Sequence, residues 1–238
     1  MCANYTPVTR SDRLLAHFGV VRERDALPAD AWPGSLAPFI RLAEDGSGRR
    51  ILDDGQFGLT PHFKKELAAG RKMYNARSET VAAKPSYRLA WQRGQRCIIP
   101  AEFIYEPCYE SASAVRWAIG LEGGVPMGIA GIYTVWREPV GGKEHFTFSM
   151  LTVNADGHSV MGRMHAPQDE KRMVVILDPA EYDAWLECPV AEAPRFFRRW
   201  EGPMAAHPAE LARRAPRKVE AVPVQKPPPE PPPQGALF

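Results

Sequence analysis

The sequence lacks most of the features that declare a function at sight. Its charge has no dominant sign: 30 Lys and Arg stand against 28 Asp and Glu, a net of +2. No basic excess announces a nucleic-acid binder, although a local basic groove would be hidden in that sum. Cysteine is scarce, and Cys2, Cys97, Cys108 and Cys188 lie far apart with no C-x-x-C pair. That spacing argues against a zinc site and offers no disulfide framework, so neither a metal nor another cofactor is expected. No apolar run approaches the length of a membrane span, and the opening M-C-A-N-Y-T-P-V-T-R has no uninterrupted apolar stretch of the signal-peptide kind. Internal repeats are missing too. These absences leave a reduced, cytoplasmic, monomer-sized protein with no membrane partner.

What is present fits one globular domain with a tail. The chain has 238 residues, of which 45% are hydrophobic and 24% charged, ordinary values for a soluble fold. Ser11 to Phe18 has helical spacing, with Leu14, Leu15 and Phe18 on one face and Ser11 as N-cap. Short apolar pieces such as Pro38-Phe39-Ile40 punctuate a stretch rich in Pro, Gly and charge. Strand-like runs follow at Arg96 to Ile99, Val115 to Leu121, Met127 to Val135, Phe146 to Val153 and Met173 to Leu177. Gly141-Gly142 reads as a hairpin turn, and Asp178 opens a helix through Glu187 with Pro179 in its first turn. Strands dominate without β-α-β alternation. The expected fold is α+β, a single domain over residues 1–200 with a curved or barrel-like, mostly antiparallel β core and peripheral helices. Residues 201–238 read as a tail, basic at Arg213, Arg214, Arg217 and Lys218, then K-P-P-P-E-P-P-P. That composition cannot pack a core and predicts an extended spacer.

Four anchors can carry chemistry. Cys2 follows Met1 as a small residue, which permits methionine removal and would leave a free α-amine and a thiol on adjacent carbons. An aldehyde would form an imine with the amine, and the thiol would close a five-membered thiazolidine on the same carbon. Ordinary pKa values near 7.7–8.0 and about 8.5 leave roughly a tenth of the amine and a few per cent of the thiol reactive at neutral pH, so proton-handling neighbours matter. The second anchor, Lys72 to Thr80, crowds an amide, a guanidinium, a carboxylate and hydroxyls into a stretch without periodicity; read alone, it is a polar loop with Asn75 capping a turn. In the third, Arg96 to Glu106, an apolar strand leads to Glu106, either a proton donor or a surface carboxylate. The fourth runs from Gly162 to Met173, where His165 is a candidate acid/base beside its competitors His145 and His158.

In this order the anchors resemble the SRAP family, the SOS response-associated peptidase or abasic-site-processing proteins. The resemblance runs from Cys2 to about Leu186. It is carried by Cys2, Phe57-Gly58-Leu59-Thr60-Pro61, Asn75-Ala76-Arg77-Ser78-Glu79-Thr80, Arg96-Cys97-Ile98-Ile99-Pro100-Ala101 leading to Tyr105-Glu106, Gly131-Ile132-Tyr133, Leu151-Thr152, and a His followed by Arg-Met. It implies a β-rich domain with a positive channel for single-stranded DNA, acting in the cytoplasm at the nucleoid. It further implies that Cys2 traps the ring-opened aldehyde of an abasic site, that Asn75 holds the cysteine, that Glu106 donates a proton toward the sugar ring oxygen, and that His165 shuttles protons. General acid–base help of this kind is worth ~10²–10⁴ in rate. Arg77, Arg172 and Arg163 would contact DNA, Arg77 as a phosphate clamp.

Departures from the family pattern are visible. Cys2-Ala3-Asn4 replaces C-G-R and so loses an arginine at position four. The H-x-R-M spacing is stretched between His165 and Arg172-Met173, and Phe57 and Tyr133 stand where the family has tryptophan. The family name also raises a cysteine-nucleophile peptidase, with His165 as base; a non-covalent single-strand binding module is a third reading. A weak lyase activity would follow from the imine. The ending Gln234-Gly235-Ala236-Leu237-Phe238 is similar to the Q-L-x-L-F peptide that docks on the replication sliding clamp, two apolar anchors and an amide on a tether.

Overall fold

A computed structural model of the chain describes residues 2–23, 27–111 and 113–210. The strands, in chain order, are β1 (Asn4–Pro7), β2 (Leu36–Leu42), β3 (Arg50–Phe57), β4 (Asn75–Arg77), β5 (Arg96–Cys108), β6 (Val115–Leu121), β7 (Met127–Arg137), β8 (Glu144–Asn154), β9 (Arg172–Val174), β10 (Ile176–Leu177) and β11 (Met204–Pro208). Three short α-helices, α1 (Ser11–Phe18), α2 (Pro85–Gln92) and α3 (Tyr182–Glu187), lie between them.

The sheet closes on itself. Following hydrogen-bonded neighbours, β7 leads to β8, β3, β2 and β5, and β5 pairs back onto β7, a closed barrel of five strands. Every contact in that ring is antiparallel except β3 with β8, where Gln56 and Phe57 run parallel to Thr147 and Phe148. The α+β, mostly antiparallel, barrel-like expectation therefore holds. Closure removes exposed edges from these strands. Phe39, Phe57 and Phe148 fill the centre with no exposure and stack or tilt against one another at 5.5 and 5.7 Å; burying each ring is worth about 1.5–3 kcal/mol.

β5 organises the functional end because its 13 residues outreach the barrel. Along one edge it pairs first with β7, from Arg96↔Ile132 to Ala101↔Met127, then with β6, from Ile104↔Ile119 to Cys108↔Val115. Along the other it meets β2 at Ile40↔Ile98 and then β1, from Pro7↔Ala101 to Asn4↔Tyr105. The second half of β5 is thus a platform, and β1 delivers the start of the chain onto it.

Local readings differ from the structure in instructive ways. The first helix spans the predicted residues, but Arg10 takes the N-cap position, and the Ser11 hydroxyl donates instead to the Arg22 carbonyl at 2.9 Å. Asp178 does open a capping box with Glu181, yet the first turn is 3-10 and only Tyr182–Glu187 is α-helical. The apolar run from Met173 to Leu177 divides, because β9 pairs with β8 and β10 with β7. Gly141 and Gly142, both left-handed at φ 84° and 68°, close the hairpin between β7 and β8, whose loop is longer than a two-residue turn: Arg137 pairs with Glu144, and the Glu138 N–H donates to the Lys143 carbonyl. Beyond residue 200 the sheet continues, since β11 pairs with β6 from Met204↔Leu121 to Pro208↔Trp117. The basic and Pro-rich segment, with Gln234, Leu237 and Phe238, lies outside the described residues.

Candidate active site

Cys2 sits just ahead of β1 and is 2% exposed. Two contacts hold it: its Sγ donates to the Asn4 carbonyl at 3.4 Å, and Asn75 Nδ2 donates to its own carbonyl at 2.8 Å. Asn75 arrives on β4, a strand of three residues paired parallel to β8. Packing explains why a stretch without periodicity becomes a strand: Met150 N–H donates to the Tyr74 carbonyl and Ser78 N–H to the Thr152 carbonyl, so β8 templates it. The Asn75 carbonyl accepts from the Tyr87 hydroxyl of α2 at 3.0 Å. Asn75 Oδ1 is buried and has no hydrogen-bond partner among the described residues, leaving an acceptor beside Cys2.

The loop feeding Asn75 is tied by a knot in which Gly58 and Gly70 touch backbone to backbone. Gln56 Nε2 donates to the Gly58 carbonyl and to Thr60 Oγ1, and Thr60 Oγ1 donates to the Leu67 carbonyl at 2.8 Å. A Cβ on Gly70 would lie 2.4 Å from the Gly58 oxygen and 2.2 Å from Thr60 Oγ1. Only glycine fits there.

Glu106, on the outer half of β5, and His165 are both buried and joined by a 2.9 Å contact between Oε2 and Nε2. His165 is the one non-glycine residue at positive φ, 65°, among the described residues. Such a conformation costs of order 1–3 kcal/mol and marks a position held by its surroundings. Here the His165 N–H donates to the Pro107 carbonyl at 2.7 Å, and Lys171 Nζ donates to the carbonyls of Met164, His165 and Ala166 at 2.9–3.1 Å. The competing histidines are engaged elsewhere: His145 with Glu138, and His158 with the Trp200 carbonyl and the amides of Val160 and Met161.

Burial first, and the Glu106 carboxylate second, push the Cys2 thiol far above its ordinary pKa, while the charge of the N-terminus and hydrogen bonds to Asn4 and Tyr105 act the other way. Tyr74 lies within the same field; burial, then Glu106, then Cys2 raise its phenol. Tyr5 behaves alike, its ring fully buried and its pKa raised by burial, then Cys2 and Cys97. Neither tyrosine stood out in the sequence, although Tyr74 precedes Asn75 and Tyr5 lies three residues from Cys2; an aromatic in an apolar or polar run carries no signal of a nearby carboxylate brought in by another strand.

The three arginines singled out from sequence part company. Arg77 is 42% exposed and pairs with Glu170 at 2.7 Å. Arg163 is likewise exposed and meets Glu110 through two contacts of 2.6 Å. Arg172 is 2% exposed, with its guanidinium enclosed by Glu79 at 2.9 and 3.0 Å, Glu170 at 2.7 Å and the Thr152 carbonyl at 2.7 Å. Those groups engage both of its Nη atoms inside the protein, so Arg172 fixes Glu170 and, through it, Arg77. Arg116 went unremarked in the sequence. It extends from β6 to place Nη2 2.6 Å from Asn4 Oδ1, so a guanidinium stands at the fourth residue after all, supplied by another strand. No cluster of His, Cys, Asp and Glu suited to a metal occurs among the described residues, and no helix among them is long and apolar enough to cross a membrane.

A closed mixed barrel that brings a second-position cysteine to a buried carboxylate–histidine pair defines a distinctive class of domain. The chain belongs to the SOS response associated peptidase (SRAP) family, whose sequence profile matches residues 1–219. It is 30% identical over 192 residues to the abasic site processing protein YoqW of Bacillus subtilis (strain 168), covering 78% of this chain and 80% of that protein. It is also 30% identical over 210 residues to the abasic site processing protein HMCES of Gallus gallus, covering 76% of this chain and 59% of the other. An X-ray structure of a protein from Bordetella bronchiseptica superposes with a TM-score of 0.81 at 33% identity, covering 88% of this chain and all of that one. A Bacteroides thetaiotaomicron protein shares the fold at a TM-score of 0.73 and 24% identity.

Proposed function

We propose that this protein processes abasic sites in single-stranded DNA by forming a covalent thiazolidine through Cys2 once Met1 is removed. The observation that carries the reading is the joint setting of Cys2: its carbonyl held by Asn75 at 2.8 Å, next to the buried Glu106–His165 pair at 2.9 Å. The α-amine attacks the sugar aldehyde and releases one water as the imine forms. The thiol then adds across the imine, its proton passing to the nitrogen, and the ring closes. Glu106 protonates the sugar ring oxygen to expose the aldehyde, and His165 relays protons between steps. The open acceptor at Asn75 Oδ1 is suited to the ammonium of a mature N-terminus. Arg77 and Arg163, both exposed, bind phosphates by exchanging their carboxylate partners for the strand.

The thiazolidine reading differs from a cysteine peptidase in what it asks of the thiol. A protease nucleophile needs a depressed pKa, which the burial of Cys2 opposes while Met1 is in place. In a thiazolidine the amine reacts first, and the thiol needs to lose its proton only as the ring forms. The imine also acidifies the adjacent sugar carbon, which would allow weak strand cleavage as a side reaction. The terminal Gln234, Leu237 and Phe238 would tether this monomer to the sliding clamp; truncating the last two should abolish clamp binding and leave crosslinking intact.

The test is intact mass spectrometry of the mature protein with an abasic oligonucleotide. A heat-stable adduct at the summed mass less one water is expected, absent in Cys2→Ala. Salt-sensitive binding with no mass change would instead favour the non-covalent module, and peptide turnover without adduct would favour the protease.

A further inference from the structure

A pocket of about 300 Å³ has Glu106 in its wall and extends beyond it to Trp32 and Arg116, which the chemistry above does not use. That is the lower end of ligand-pocket sizes, room for one small flat group. Trp32, Tyr105, Pro107 and Arg116 supply most of its wall, with Asn4 and Glu106 at its polar side, and its surface is predominantly apolar. The Arg116 guanidinium lies 3.4 Å from the centre of the Tyr105 ring. Asn4 Oδ1 fixes it there at 2.6 Å, and Asp30 adds a longer contact at 3.5 Å. Arg116 is therefore a flat, pinned wall, unlike the exposed arginines whose partners can be exchanged for phosphate.

Trp32 is the unusual member. Its indole is 42% exposed and meets no other aromatic ring among the described residues, yet its backbone is fixed. Ser35 N–H donates to the Trp32 carbonyl at 2.8 Å, Trp32 N–H donates to Ser35 Oγ at 3.1 Å, and the preceding Ala31 is paired with Tyr5 and accepts from Asn4 Nδ2. A large apolar ring on a fixed backbone in the wall of an apolar pocket has only its side-chain torsions to lose when a flat ligand stacks on it. Aromatic platforms of this kind recognise nucleobases without regard to sequence, since every base has a π-face. A hydroxylated sugar or a phosphate would leave these walls poorly matched.

We infer that this pocket receives the nucleobase adjoining the abasic residue, stacked on Trp32, with Glu106 shared between the pocket and the reacting sugar. The inference rests on the abasic-site reading above. It assigns the protein a preference for a lesion that keeps an intact base on one particular side.

The experiment uses the full mature chain and unreactive single strands carrying a tetrahydrofuran abasic analogue. The neighbours of the analogue are a base on both sides, a base on the 5′ side only, a base on the 3′ side only, or further spacers on both. Affinity is read by fluorescence polarisation at fixed salt. Wild type should bind the doubly flanked strand about tenfold tighter than the spacer-only strand, the scale of one stacked base, and one of the two single-flank strands should keep most of that gain. In Trp32→Ala the ratio should fall to near one, and Trp32→Phe should restore most of it. Equal affinities in wild type, or an undiminished ratio in Trp32→Ala, would overturn the assignment. Because no bond forms with the analogue, this outcome is independent of the adduct mass that tests the covalent reading.

Discussion

Replacing Arg172 by Met tests whether this buried arginine acts within the fold, in contrast to Arg77, the proposed phosphate contact. The side chain is 2% exposed and donates to Glu79, Glu170 and the Thr152 carbonyl. Breaking a fully buried ion pair costs 3–5 kcal/mol. Here Glu79 and Glu170 are themselves half-exposed and can rehydrate, and the Thr152 carbonyl keeps its bond from the Ser78 N–H, so the loss lies at or below the lower end of that range. A net destabilisation of roughly 2–3 kcal/mol lowers the melting temperature by about 4–12 °C for a domain of this size. If Arg172 touches no phosphate, the slope of log affinity against log salt for single-stranded DNA should be unchanged, whereas Arg77→Met should flatten it by about 0.7 with little effect on melting. Calorimetry and a salt titration of both variants supply the comparison. A flattened slope in Arg172→Met with an unaltered melting temperature would refute the reasoning.

Other outcomes can be read from single variants. Asn75→Ala removes the donor to the Cys2 carbonyl and the buried acceptor beside it, and should slow adduct formation at least tenfold in a gel-shift time course; an unchanged rate would remove Asn75 from the site. Glu106→Gln should slow adduct formation by ~10²–10⁴ although it takes away a charge that raises the Cys2 thiol, so a faster reaction would show that thiol ionisation, not proton donation, limits the rate. Arg172 holds the Glu79 carboxyl below its ordinary range through hydrogen bonding. A depressed carboxyl stabilises the fold above its unfolded pKa of about 4.3 and loses that contribution as pH falls through the folded value. The denaturation midpoints of wild type and Glu79→Gln should therefore differ at pH 7 and draw together as pH falls through the folded value; a constant gap would count against the pairing. Gly70→Ala must push the Gly58 carbonyl aside and should destabilise by roughly 1–3 kcal/mol in urea.

The sequence by itself determined the strand-rich α+β fold, the extent of the first helix, the glycine hairpin and the family, because each depends on local pattern or on residues kept together in short motifs. It also supplied Cys2, Asn75, Glu106 and His165 as a set, but not their arrangement. Only the tertiary structure decided that β5 outreaches the barrel and carries Glu106 past the arriving N-terminus, that Lys171 and Pro107 hold His165 in a left-handed conformation next to that carboxylate, and that His145 and His158 are occupied elsewhere. The fate of the arginines was equally illegible. Arg77 and Arg172 are the same residue type in comparably polar stretches, and what separates them is whether long-range pairing encloses the guanidinium or leaves it at the surface. Arg116 and Trp32 stand beside Asn4 and Glu106 only because β6 and the turn after Ala31 fold onto the same end of the barrel. Spacing along a chain records neighbours in sequence, while a site assembled from six separate segments is fixed by sheet closure and packing.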